Sequence, residues 1–249
     1  MNKISITGPL FKWFGSKWNA SKYYPSPTGD LILEPFAGGA GYSLRHFEKK
    51  VVIAEKDPHV NSLWKWLIKE ATESEIRDIP INLTEGSDIR DLGLNPGQSL
   101  LLKAWQRTNN VGNCWTISPW GNKPGQWTES TRSRVASEFH LIKHWEVQDC
   151  GLELMHNNPN PEETSNTWFI DPPYQYNYQY KNPLPLSYTE LATVISNLRG
   201  QVICCEAICQ KTGFVPDYLP FEFFRRCVTS RRKENNSHHS KELVYHKLK

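Results

Sequence analysis

A chain of 249 residues can bury a full core without disulfide or metal staples, and its length suits one large α/β domain carrying an insertion. Lys and Arg total 29 against 26 Asp and Glu, a formal charge of +3, which permits a nucleic-acid partner without demanding one. Cysteines 114, 150, 204, 205, 209 and 227 form no CxxC pair and no zinc-type spacing, so reduced core thiols and no metal site are expected. No apolar run approaches the ~18 residues of a membrane span and the N-terminus lacks a signal-peptide core, so a soluble, cytoplasmic protein with no membrane partner is expected. Ten tryptophans are many, and several lie in polar surroundings where an indole suits contact or stacking work.

In chain order, the apolar runs "LILEP" (31–35) and "VVIAE" (51–55) flank a glycine cluster and a helix-like stretch, the spacing of a βαβ unit with a parallel sheet. The segment "PHVNSLWKWLIKE" reads as a helix, with Pro58 suited to its first turn. From about 71 to 145 the pattern changes. Helical pieces "SLLKAWQRTN" and "RSRVASEFHLIKHW" bracket the loop-rich "NVGNCWTISPWGNKPGQW", which reads as an inserted module. Within it, Thr116 and Ile117 suit a strand, "PWGNKPG" suits a turn and Trp127 suits a return strand, predicting a ribbon. Strands are then predicted before "QDCG" and at "NTWFI", "QVICCE", "FEFFRRCV" and "ELVYHKL", with a helix at "SYTELATVISNL". This alternation predicts a doubly wound sheet.

Two stretches carry chemistry. In "LEPFAGGAGYS" (33–43) a strand runs into Glu34, and glycines 38, 39 and 41 let a ligand approach the backbone, as in a nucleotide pocket; close helix–strand packing uses the same glycines. No Gly-Lys-Ser/Thr follows, so this is not a P-loop. Glu55, about 20 residues on, lies where a carboxylate can hold ribose hydroxyls. In "WFIDPPY" (168–174) an apolar strand stops at a carboxylate, two prolines and a ring. That reads as either a plain tight turn or a tip built to present groups at a fixed angle.

The segments "FKWFGSK" (11–17), "LEPFAGGAG" (33–41), "IAEKDP" (53–58), "FIDPPY" (169–174) and "RRKENNSHHSKELVYH" (231–246), in that order, resemble the Dam-type AdoMet-dependent DNA adenine-N6 methyltransferases, phage versions included. The resemblance covers both ends of the chain and leaves the middle loosely aligned. It implies a Rossmann-like class I methyltransferase fold: a catalytic domain from 1–70 and 146–249, and a small helical or hairpin target-recognition module inserted at 71–145. It implies AdoMet as cofactor. Trp13 and Lys17 would lie at the methionine end, Lys17 pairing with its carboxylate. Glu34, Phe36, Gly38 and Gly39 would form the cofactor turn, Glu55 would hold the ribose, Asp149 would contact the adenine, and Asp171 would border the cofactor.

Catalysis would fall to Asp171, Pro172, Pro173 and Tyr174. Adenine N6 is a poor nucleophile because its lone pair is conjugated into the ring. Acceptors aimed at both N–H bonds, the Asp171 carboxylate and the Pro172 carbonyl, favour the pyramidal amine, and Tyr174 offers a stacking face to a base flipped out of the duplex. The following "QYNYQYKNPLPLSY" suits a closing loop. Duplex DNA is the expected partner, met by Asn122 and Lys123 at base edges and by Arg132, Arg134, Arg231 and Arg232 at phosphates. A monomer or weak homodimer is expected. RNA adenine methylation, and a catalytically silent nucleic-acid or AdoMet-binding module, remain open beside this reading.

Overall fold

A computed structural model describes residues 5–106, 115–157, 165–174, 186–207, 226–229 and 241–247. Seven strands form one sheet: β1 Leu31–Glu34, β2 Lys50–Ala54, β3 Glu146–Gln148, β4 Asn166–Ile170, β5 Gln201–Ala207, β6 Arg226–Thr229 and β7 Lys241–Lys247. Their order is β3-β2-β1-β4-β5-β7-β6. The first five are parallel, and β7 runs antiparallel to both β5 and β6. This mixed α/β sheet is consistent with a Rossmann-like fold. The chain moves outward from β1 to β3 and then crosses to β4, so the order reverses between β1 and β4. Ligands of open α/β sheets bind outside the carboxyl ends of the strands at such a point.

The alternation of strand side chains fixes what stands there. Leu33, Val52, Ala54, Trp168, Ile170, Val202 and Cys204 face one layer, packing with Leu154, Met155, Leu191 and Ile195. Those four lie on α5 (Gly151–His156) and α6 (Tyr188–Asn197). Ile32, Val51, Ile53, Phe169, Ile203 and Cys205 face the other. Glu34 follows Leu33, Glu55 follows Ala54 and Asp171 follows Ile170, so the period of two sets all three acids on the second face.

That second face is covered by α1 (Pro58–Lys65), α2 (Glu73–Asp78), α3 (Pro96–Gln106) and α4 (Glu129–Glu138). The first helix starts as its sequence demands: Asp57 caps it by accepting from His59 and Val60 N–H, with Pro58 at the first position. A π turn, Trp66–Glu70, extends it, and a Thr72–Glu75 capping box opens α2. A single core cluster joins Leu10 and Trp64 to Leu101, Trp127, Val135, Trp145 and Phe169, so the 71–145 segment packs as part of this face.

Three expectations are corrected. The link between β1 and β2 is a single 3-10 turn, Ser43–His46, and not an α-helix. Gly38 and Ala40 both have positive φ, so helical backbone cannot begin before the turn ends, and β2 starts at Lys50. The ribbon at 115–127 is also absent: Thr116 bridges Asp88 instead, and the residues up to Trp127 form successive turns. Finally, most of the tryptophans are core. Trp64, Trp66, Trp105, Trp127, Trp145 and Trp168 are buried, and Trp120 alone of the ten is well exposed. Four of the buried indoles donate to backbone carbonyls, at Gly38, Leu10, Pro80 and Phe47, which removes the cost of burying the N–H.

Among the described residues no helix is long and apolar enough to cross a membrane. Cys204 and Cys205 are buried in β5 and are not in a disulfide.

Candidate functional site at the β1–β4 switch point

The N-terminal segment lies across the glycine turn. A Cβ on Gly38 would fall 2.5 Å from Trp13 Cδ1, and one on Gly41 would fall 2.2 Å from Trp18 N, so these positions exclude any larger residue. The turn is tied to β2: Gly38 N–H donates to Glu55 Oε2 (2.8 Å), Ala37 N–H donates to Ala54 O (3.0 Å), and Trp64 Nε1–H donates to Gly38 O (2.8 Å). Glu55 accepts a second backbone bond, from Asp57 N–H at 2.8 Å. Burial raises the Glu55 pKa above the usual carboxylate value, against these two bonds, which lower it. Phe36 packs on the α5–α6 side of the sheet.

Lys17 reaches across from this segment to β4. Its ammonium lies 2.6 Å from Asp171 Oδ2, donates to Gly15 O at 2.9 Å and sits 5.2 Å from the centre of the Tyr174 ring. The pair joins residues 154 apart in sequence, with side-chain exposures of only 10% and 16%. Two prolines follow, and Tyr188 Oη–H, at the start of α6, donates to Pro173 O at 2.7 Å. The strand tip is thus braced beyond its carboxylate.

Glu34 is 2% exposed, and Ser43 donates to its Oε2 through both N–H and Oγ–H. Desolvation pushes its pKa up to about 8. The Ser43 bonds and Lys17 oppose that rise and Asp171 adds to it. Glu34 therefore ties the end of β1 to the far end of the glycine turn, chiefly as a protonated brace. Asp171 follows β4, and Asp149 follows β3, next to the Glu55 strand. Asp149 is exposed and pairs with Lys65 (2.6 Å), which holds its pKa below the usual carboxylate value. Gln148 O accepts from Glu55 N–H (3.2 Å) and from Asn61 Nδ2–H (2.8 Å), so Asp149 follows directly on a residue bonded to the Glu55 strand end.

No family model matches the chain, and no curated protein matches it significantly. The site therefore rests on its own geometry. That geometry connects Trp13, Lys17, Glu34, Gly38, Gly39, Glu55, Asp171 and Tyr174 through direct contacts or shared fields, with Asp149 on the neighbouring strand end.

The residues expected at DNA are held differently. Asn122 is committed to the fold: Leu83 N–H donates to Asn122 Oδ1 (3.0 Å), and Asn122 Nδ2–H donates to Leu83 O (2.7 Å). Arg132 pairs with Glu129 and donates to Ile79 O. Arg134 pairs with Glu138 and donates to Pro9 O, tying α4 to the N-terminal segment. Lys123 is exposed. Arg231, Arg232 and most of the Tyr-rich segment after Tyr174 lie outside the described residues. Asn122→Ala is accordingly expected to cost about 1–2 kcal/mol of stability through the two lost backbone bonds. Denaturant unfolding reads this directly.

Several site residues escaped sequence reasoning. Asn61, Trp64 and Tyr188 act through backbone carbonyls and Ser43 through the Glu34 carboxylate, and no motif marks any of these contacts. Ser16 is another: its Oγ is buried without a hydrogen-bond partner and lies 3.1 Å from where a Gly39 Cβ would be. A buried hydroxyl without a partner marks a hydrogen bond still to be made beside the glycine turn.

Proposed function

We propose that the chain is an AdoMet-dependent DNA adenine-N6 methyltransferase with a class I fold. The observation that carries this reading is the meeting, at the switch point of a parallel sheet, of a glycine turn bonded to Glu55 with an Asp171-Pro172-Pro173-Tyr174 tip bonded to Lys17. The donor set fits the cofactor on the structure's own terms. The buried Ser16 Oγ supplies an unmet polar contact beside the glycine turn, Trp13 packs over Gly38 as an aromatic wall, and Glu55 supplies a carboxylate with lone pairs to spare for ribose hydroxyls. When bound, AdoMet supplies an activated methyl group on its sulfonium.

The chain's own residues then have distinct tasks. Asp171 and the Pro172 carbonyl accept the two N–H bonds of the target amine and hold its lone pair toward the methyl group. Their acceptor oxygens are fixed before the base arrives, which is the source of their effect in a water-poor site. Tyr174 stacks on the flipped base. Glu34, kept neutral by burial, steadies the turn without adding a second charge beside Asp171.

Incubating the protein with methyl-labelled AdoMet and either duplex DNA or RNA tests the assignment. Label in DNA adenine is the expected result. Label in RNA would shift the acceptor class, and label in neither would leave a binding module.

Glu55→Ala is expected to weaken AdoMet binding by about 1.5–3 kcal/mol, the worth of a charge-assisted hydrogen bond. Calorimetry on the folded variant measures it. An unchanged dissociation constant would place the ribose elsewhere.

A further inference from the structure

Lys17 stands on both reactive groups of the β4 tip. Its ammonium donates to Asp171 Oδ2 and to Gly15 O, and the same cation lies against the Tyr174 ring. The acceptor oxygen and the stacking face that a flipped adenine needs are thus engaged by one side chain. The backbone behind it is fixed, because Lys17 and Trp18 press on Gly41 and Trp13 lies over Gly38. The flexible four-carbon stem is the part free to redirect the charge.

We propose that Lys17 is an exchange latch: it ion-pairs with Asp171 in the cofactor-free protein and swings to the carboxylate at the amino-acid end of AdoMet, exposing Asp171 and Tyr174 only after the cofactor is in place. The latch rests on the methyltransferase reading above. It makes Asp171 a competitor for the cofactor and orders the two substrates, cofactor first and base second. It also keeps the acceptor carboxylate paired while it is mostly buried, where an unpaired charge is costly.

The test is calorimetric. AdoMet and 5′-methylthioadenosine, which lacks the amino-acid end, are titrated into wild type, Asp171→Asn, Lys17→Met and the double variant. Asp171→Asn should bind AdoMet roughly three- to tenfold more tightly than wild type, the worth of one partly exposed ion pair. Its affinity for methylthioadenosine should not change, and in the Lys17→Met background Asp171→Asn should bring no gain. Equal or weaker AdoMet affinity in Asp171→Asn, or an equal gain for methylthioadenosine, overturns the latch alone. Wild-type protein that takes up neither ligand overturns the methyltransferase reading and the latch together. If Asp171→Asn lacks the wild-type far-ultraviolet spectrum, Asp171→Ser carries the same comparison.

Discussion

Asp171→Ala is expected to abolish methyl transfer while uptake of AdoMet is undiminished. The carboxylate serves the target amine: it ends an apolar strand, it is mostly buried, and its orientation is set by Lys17 on one side and by the braced Pro172-Pro173 turn on the other. Removing one preorganised polar partner from a reacting group costs ~10² to 10³ in rate. Here the loss should exceed that range, because the carboxylate is both an acceptor for the target amine and the negative charge beside N6 as positive charge develops there during transfer. Single-turnover methylation of DNA, with AdoMet binding measured on the same preparation, separates the two effects. Turnover at the wild-type rate would remove Asp171 from the chemistry, and lost AdoMet binding would make it a cofactor residue first.

The frame of the site was legible because each acid ends an apolar strand. "LILE", "VVIAE" and "WFID" each pair a run that must be buried with a charge that cannot continue into the core, and that conflict is resolved only at a strand end. Three such ends in parallel strands necessarily gather on one edge of the sheet. What periodicity could not show was which acid keeps its proton. Glu34 and Asp171 look alike in sequence, but Glu34 is sealed beneath Ser43 and Asp171 meets a cation donated from residue 17.

The 115–127 segment failed for a related reason. Thr116 and Ile117 have strand character, but their backbone partners are Asp88 and Ser87, some 29 residues upstream, and no local pattern points there. Likewise Asn122 reads as a turn residue with a free amide until the Leu83 backbone claims both of its polar atoms. The tryptophans misled because an indole in a polar stretch looks exposed. At Trp64, Trp105, Trp127 and Trp145 a backbone carbonyl from a distant segment makes burial tolerable.

The stability of the protein is expected to fall as pH rises from about 5 to about 8, and Glu34→Gln is expected to remove most of that fall. In the fold the Glu34 carboxyl holds its proton to about pH 8, against an ordinary value of 4.5. Below 4.5 the carboxyl is protonated in both states and contributes no pH dependence. Between the two values the unfolded chain releases a proton that the folded chain retains, so each step up in pH favours unfolding. One pK unit corresponds to about 1.4 kcal/mol, so the decline across the window should be on the order of 2–4 kcal/mol.

For a chain of this size that is a drop in Tm of about 5–15 °C. Glutamine keeps an acceptor for Ser43 but has no proton to lose, so the variant should melt near the wild-type temperature at pH 5 and above it at pH 8. Thermal unfolding of both proteins across that range gives the comparison. Parallel curves would mean that Glu34 is already ionised at neutral pH. Asp171 would then share its surroundings with a second buried charge, and Lys17 would act on both.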